Sequence, residues 1–91
     1  MKKQVLRSQK GGYNKAAVIS KLDAYNTLIV AIQQGNMSRS EVMTELEYIR
    51  KMRMPTEKKG LFGEAGFSVE DTDAYIDECE QLIQNGAMNL R

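Results

Sequence analysis

The fold is decided by the stretch GFSVEDTDAYID, residues 66–77. It reads as a turn glycine, an aromatic residue, a polar helix cap at Ser68 and the start of an amphipathic helix. A degenerate copy, GYNKAAVISKLD, lies 54 residues earlier, at residues 12–23. Glycine, aromatic residue and polar cap fall in the same phase in both copies, with Asn14 in place of Ser68. The sequence therefore predicts two related helices with similar starts.

Both copies continue into stripes of apolar residues that alternate in steps of four and three. Such spacing is the heptad seam by which one helix packs against another. A seam of this length equally suits an ordinary core-facing helix, and that alternative stays open. The predicted oligomer interface consists of the seam residues Val18, Leu22, Tyr25, Ile29, Ile32, Thr72, Ile76, Cys79 and Ile83.

Capping signals place two helices in the first half of the chain. The first is expected over about 15–34 and ends at Gly35, a residue suited to a helix C-terminus. The second is expected over about 39–53, behind a capping box formed by Ser38 and Glu41. The short link between them is typical of an antiparallel helical hairpin.

A third helix is expected over about 69–85, with Gly86 as its stop and a frayed end behind it. Because 91 residues with 7% aromatics bury only a thin core, a partner surface would add stability. We therefore predict an all-α fold of three helices with hairpin or coiled-coil-like packing, in an oligomer.

The whole chain is expected to form one small domain. Residues 1–13 are a basic lead-in, 14–53 the helical hairpin, 54–67 a linker loop and 68–86 the third helix. The linker is marked by charges, by glycines and by Pro55, which moves the preceding residue away from helical angles.

Charge is distributed unevenly, although the net charge is only +1. Residues 1–22 carry six basic side chains and no acid, whereas residues 64–80 carry seven acidic side chains and no base. Unlike charges favour contact between the first and third helices, within one chain or between chains. The alternative is that both clusters are solvated surfaces.

The residue types indicate a protein that is not an enzyme. With Cys79 as the single cysteine and no histidine, neither an internal disulfide nor histidine-based zinc or acid–base chemistry is expected. No cofactor is predicted. No apolar run reaches the ~18–20 residues that span a bilayer, and the start lacks the apolar segment of a secretory signal, so we expect a cytoplasmic location.

At residues 66–77 the sequence resembles the DivIVA family of bacterial cell-division scaffolds. The family signature is a Gly-Tyr turn, an acidic helix start, a Val on the seam and an aromatic-Leu pair. Here Phe67 stands for the Tyr, Thr72 for the Val and Tyr75-Ile76 for the aromatic-Leu pair. The front copy matches at Gly12, Tyr13, Val18 and Leu22, with Leu6 where the family has an upstream Phe.

The resemblance implies a parallel helical dimer, higher assembly and scaffolding at the inner face of the cell membrane. Its expected partners are further copies of the chain and other division or scaffold proteins. Family members that bind membrane carry an apolar residue followed by Arg just before the Gly-Tyr turn, where this chain has Lys10-Gly11 and Glu64-Ala65. A small self-associating adaptor is therefore the predicted function, and peripheral membrane contact is left undecided.

Two further groups of residues complete the functional predictions. The residues expected at turns or facing partners are Gly12, Tyr13, Leu61, Phe62, Gly66 and Phe67. As an alternative function, the basic lead-in would bind an anionic membrane surface or nucleic acid. Nucleic acid is the less expected ligand, since the lead-in lacks interleaved aromatic residues. The candidates for anion contact are Lys2, Lys3, Arg7 and Lys10.

Overall fold

Three helices and a small two-stranded sheet make up the computed structural model, which describes residues 5–58 and 63–90. The elements in chain order are β1 (Ser8–Lys10), α1 (Lys15–Gln33), α2 (Arg39–Arg50), β2 (Ala65–Phe67) and α3 (Val69–Met88). The three predicted helices are confirmed. The prediction of an all-α fold is wrong in that the lead-in and the end of the linker each contribute a strand.

The predicted caps start the helices. Asn14 and Ser68 each accept the backbone N–H three residues later, at 2.9 and 3.2 Å respectively. Ser38 and Glu41 form both halves of the capping box. These contacts satisfy amides that the first turn of a helix leaves without an internal partner.

α1 and α3 lie side by side and run in the same direction. Their starts meet at Tyr13 and Phe67, which exchange backbone hydrogen bonds. Their last turns meet where Gly86 approaches the side chain of Ile32. The partners in both contacts are 54 residues apart in sequence, so the two copies of the repeat pack in register.

α2 packs antiparallel to both long helices. Its C-terminal end receives the Lys21 ammonium of α1, and its first residue, Arg39, donates to carbonyl oxygens at the end of α3. The apolar face of α2 closes the core between the three helices. The buried apolar residues are Val18, Leu22, Tyr25, Leu28, Val42, Leu46, Ile49, Cys79, Ile83 and Ala87.

α3 is longer than predicted, because Gly86 does not stop it and the helix continues to Met88. A Cβ at Gly86 would lie 2.8 Å from Cγ2 of Ile32, so this glycine permits the two helices to approach closely. Ala87, expected to be frayed, is buried, and its carbonyl accepts from Arg39. α2 is shorter than predicted and ends at Arg50.

The two strands form an antiparallel ladder in which Ser8 pairs with Phe67, Gln9 with Gly66 and Lys10 with Ala65. A three-residue strand gives little period-two signal, since it holds barely one alternation of side chains. The ladder places the lead-in directly beside the second copy of the repeat.

Candidate functional site

The two Gly-aromatic turns, Gly12-Tyr13 and Gly66-Phe67, form one paired structure, named here the paired turns. The Tyr13 N–H donates to the Phe67 carbonyl at 3.0 Å, and the Phe67 N–H donates to the Tyr13 carbonyl at 2.9 Å. Each hydrogen bond is the image of the other under exchange of the two copies. The backbone here therefore has local two-fold pseudosymmetry.

The glycines of the paired turns are required by backbone proximity. A Cβ at Gly12 would overlap the Phe67 carbonyl oxygen, and a Cβ at Gly66 would overlap the Tyr13 carbonyl oxygen. In both cases the obstructing atoms belong to the backbone, which cannot rotate away as a flexible side chain could. The sequence marked these glycines as turn residues but did not reveal that they face each other.

Each turn is flanked on its outer side by the segment that precedes the other turn. β1, upstream of the first turn, pairs with β2, and the Ser68 N–H donates to the Arg7 carbonyl at 2.7 Å. Thr56, upstream of the second turn, pairs with Tyr13, and the Asn14 N–H donates to the Pro55 carbonyl at 2.7 Å. The two upstream segments thus cross over, so that each copy completes the other.

Arg7, a candidate for binding anions, is engaged within the chain. Its Nε donates to the Asp71 carboxylate at 2.8 Å and its backbone N–H donates to the same group at 3.1 Å. These hydrogen bonds lower the pKa of Asp71 to about 2. The contact joins the basic lead-in to the acidic start of α3, which is the kind of charge pairing predicted from the sequence.

The aromatic side chains of the paired turns also make contacts between the two copies. The Tyr13 hydroxyl donates to Asp73 of α3 at 2.9 Å, and burial, with this hydrogen bond, raises the tyrosine pKa. The Lys15 ammonium of α1 lies 5.3 Å from the centre of the Phe67 ring. Both aromatic residues therefore face the opposite helix as well as their own.

A polar cluster ties the three helices together midway along their length. The Tyr25 hydroxyl donates to Glu80 at 2.7 Å, and the Arg50 guanidinium donates to both oxygens of the same carboxylate. Hydrogen bonding from Arg50 lowers the pKa of Glu80, while burial raises the pKa of Tyr25. The sequence signalled Tyr25 only as an apolar seam residue.

Lys21 is the buried cation of α1, with 8% of its surface exposed. Its ammonium donates to the carbonyls of Met52 at 3.0 Å and Arg50 at 3.4 Å, where α2 ends. Burial lowers the pKa of Lys21. A cation at the carbonyl end of a helix interacts favourably with the helix dipole, so Lys21 fixes the end of α2 against α1.

The seam residues predicted as an oligomer interface meet within one chain. Half-buried positions are Ile29, Ile32 and Ile76. Fully buried positions are Val18, Leu22, Tyr25, Thr72, Cys79 and Ile83. This arrangement leaves the flanks of α1 and α3, rather than their seams, for contact with a second copy.

Cys79 is buried among apolar side chains, with 3% of its surface exposed. Burial raises the pKa of its thiol to about 11, which keeps the thiol protonated near neutral pH. Among the described residues, no cluster of three or more metal-ligating side chains is found. In the same part of the chain, no helix has both the length and the apolar character needed to cross a bilayer.

Four predicted site residues have no structural outcome. Leu61 and Phe62, expected to face a partner, lie outside the described residues, as do Lys2 and Lys3 of the anion-contact set. No protein-family model, curated protein or solved structure matches the chain.

Proposed function

We propose that the chain is a non-enzymatic, self-associating adaptor of the kind that its resemblance to DivIVA-type cell-division scaffolds implies. The observation that carries the proposal is the reciprocal pairing of Tyr13 with Phe67. It brings the two motif copies together at the start of parallel helices, which is the relationship that the resemblance implies between two subunits. A protein with this arrangement would contain one dimer-like unit and use its outer surfaces for further assembly.

Support for a non-enzymatic role comes from the chemistry of the groups that the fold brings together. The Tyr25 hydroxyl and Glu80 carboxylate are bonded to each other and to Arg50, which stabilises their present protonation states. The Cys79 thiol is buried and protonated, and a thiol rather than a thiolate is a poor nucleophile. These polar groups act as ties between helices.

The alternative of anionic-surface binding receives less support. Arg7, one of its candidate residues, spends its guanidinium on Asp71 through hydrogen bonds of 2.8 and 2.9 Å. Binding a phosphate there would require this contact to open. The assembly proposal needs no such rearrangement.

Sedimentation velocity of the full chain between about 10 and 500 µM tests self-association, because the populations of monomer and oligomer depend on total concentration. The expected result is a monomer–oligomer equilibrium with a dissociation constant on the order of 10 µM. A strict monomer throughout this range would contradict the proposal.

The cellular role needs a separate measurement. A fluorescent fusion expressed in the native cell is expected to concentrate at division sites. Diffuse fluorescence during division would argue against a scaffold role while leaving self-association untouched.

A further inference from the structure

Two parallel helices in contact have two grooves along their line of contact, and α2 fills one of them. On the α1 side of the filled groove lie Lys21 and Leu28, both buried. On the α3 side lie Glu80, bonded to Arg50, and Ala87, bonded to Arg39. The second groove, on the opposite side of the seams, has no helix of this chain in it among the described residues.

The second groove is apolar and partly exposed. On α1 it is flanked by Ile19 and Val30, which are 52% and 49% exposed. On α3 it is flanked by Leu82, which is 40% exposed, and by half-buried Tyr75. At 100° per residue, these positions lie on the side of each seam away from α2. We call the surface formed by these four residues the open groove.

The open groove is self-complementary along its length. The midpoint between Ile19 and Val30 falls between residues 24 and 25, and the midpoint between Tyr75 and Leu82 falls between residues 78 and 79. These midpoints are again 54 residues apart, and the two helices pack in that register. A single two-fold axis across the helices can therefore place Ile19 opposite Val30 and Tyr75 opposite Leu82 of another copy.

The polar residues of α1 between these anchors are also complementary under that axis. Asp23 and Asn26 are exchanged by it, so the carboxylate of one copy faces the amide of the other. Both side chains line a shallow, open depression of about 410 Å³ on the outer face of α1, which gives an approaching side chain room. An amide can donate to a carboxylate, so no unpaired charge is buried on this helix.

We propose that a second copy of this chain packs antiparallel on the open groove, so that two α1–α3 pairs form a four-helix core with α2 on each outer side. This inference rests on the proposed self-association and specifies its surface. Apolar residues that are half exposed in one chain become covered, which is the main source of stability in such contacts. Glu78, one turn from both Tyr75 and Leu82, lies near the axis, where two carboxylates approach each other.

Charge substitution in the full chain tests the surface. Val30→Glu and Leu82→Glu each place a carboxylate in the groove, and each is expected to raise the dimer dissociation constant at least about tenfold. Met43→Glu is the matched control, because Met43 is 39% exposed on α2, away from the groove, and should leave the constant unchanged. Circular dichroism verifies that each variant is folded.

The charge substitutions also separate this inference from self-association itself. If the wild type dimerises and Val30→Glu dimerises equally well, the open groove is not the interface, although self-association stands. If the wild type is monomeric at about 500 µM, both proposals fail. Glu78→Gln is expected to tighten the dimer about threefold by removing like-charge repulsion at the axis. A weaker Glu78→Gln dimer would contradict this geometry.

Cysteine cross-linking tests the antiparallel arrangement. A double variant, Ile19→Cys with Val30→Cys, is expected to form disulfide-linked dimers under mild oxidation, whereas Ile19→Cys alone is not. In the proposed dimer the two copies of residue 19 are about 16 Å apart, which is too far for a disulfide. Native Cys79 is buried and does not compete. Efficient cross-linking of the single variant would indicate a parallel contact and overturn the arrangement.

Discussion

The first half of the molecule, residues 12–33, and the second half, residues 66–88, share a backbone design but differ in the side chains around it. Both have the glycine, the aromatic residue and the polar cap, and both enter their helices through the same hydrogen bonds. Their flanks diverge: Lys21 in the first half corresponds to Tyr75 in the second. The paired turns thus depend on shared residues, while divergent residues decide where α2 binds.

The position of α2 illustrates this division. Lys21 offers a cation to the carbonyls that end α2, and Glu80 offers a carboxylate to Arg50. Under exchange of the two halves these positions become Tyr75 and Asn26, which supply neither charge. Two grooves that are equivalent in backbone are therefore unequal in chemistry, and α2 occupies the one with matching charges.

The equivalence of the paired turns can be broken at their glycines, where the largest loss is expected. Gly12→Ala and Gly66→Ala should each lower the free energy of unfolding by about 3 kcal/mol, because the added Cβ meets backbone atoms. Urea denaturation provides the measurement. Gly35→Ala is the control: it has open space around it but a φ of 71°, so it should cost only about 1 kcal/mol. A large cost at only one of the two turns would show that they are not equivalent.

A second large effect is expected where Ile32 of α1 faces Gly86 of α3. Gly86→Ile should cost about 2–3 kcal/mol, because two large side chains then compete for one space. Exchanging the residues, as Ile32→Gly with Gly86→Ile, should lose less than the sum of the single changes, by about 1 kcal/mol or more. Thermal and urea unfolding of all four proteins gives this coupling. Strict additivity would mean that the contact does not determine the helix separation.

The polar difference between the halves can be tested at Glu80. Glu80→Gln should lower the free energy of unfolding at pH 7 by about 1–2 kcal/mol, since Tyr25 and Arg50 lose a charged acceptor. Because the folded-state pKa of Glu80 lies below its ordinary value of 4.5, its contribution is present above that value and is lost as the pH falls.

The corresponding pH series compares the wild type with Glu80→Gln. Between about pH 5 and pH 3 the wild type should lose more stability than the variant. Below about pH 4 both should lose the contribution of Asp71, whose pKa is lowered to about 2. Parallel curves between pH 5 and 3 would be inconsistent with the role assigned to Glu80.

The smallest expected effect is a gain in stability. Thr72 of the second half corresponds to Val18 of the first, and both are fully buried. Among the described residues, the Thr72 hydroxyl oxygen is the buried side-chain polar atom that has no hydrogen-bond partner. Thr72→Val should therefore raise the free energy of unfolding by about 1 kcal/mol. Val18→Thr is the matched reverse change, and a gain from it would contradict this explanation.

The sequence predicts the helices well because their signals are local. Ser38 and Glu41 stand three residues apart, and an apolar stripe is read within a few turns of one helix. The same locality explains the error at Gly86. A glycine near a helix end usually marks its termination, but this one is set by Ile32, which is distant in the sequence.

The paired turns were only partly predictable. The repeat identified Gly12-Tyr13 and Gly66-Phe67 as equivalent, but the sequence does not state whether equivalent residues meet within one chain or between chains. Strand β1 was missed because its pairing depends on β2, more than 50 residues away. Glu80 and Arg50 read as ordinary surface charges, and only tertiary packing joins them to Tyr25.

The crossing of the upstream segments bears on the order in which the chain can fold. β1 emerges early from the ribosome, yet its partner β2 lies near the other end of the sequence. Such non-local contacts give a high contact order, and loop closure must precede the energy gained from them. The α1–α2 hairpin is the natural early unit, whereas the lead-in must wait for almost the whole chain. Chains that stall before β2 is synthesised would expose the α1 seam, which makes them substrates for chaperones.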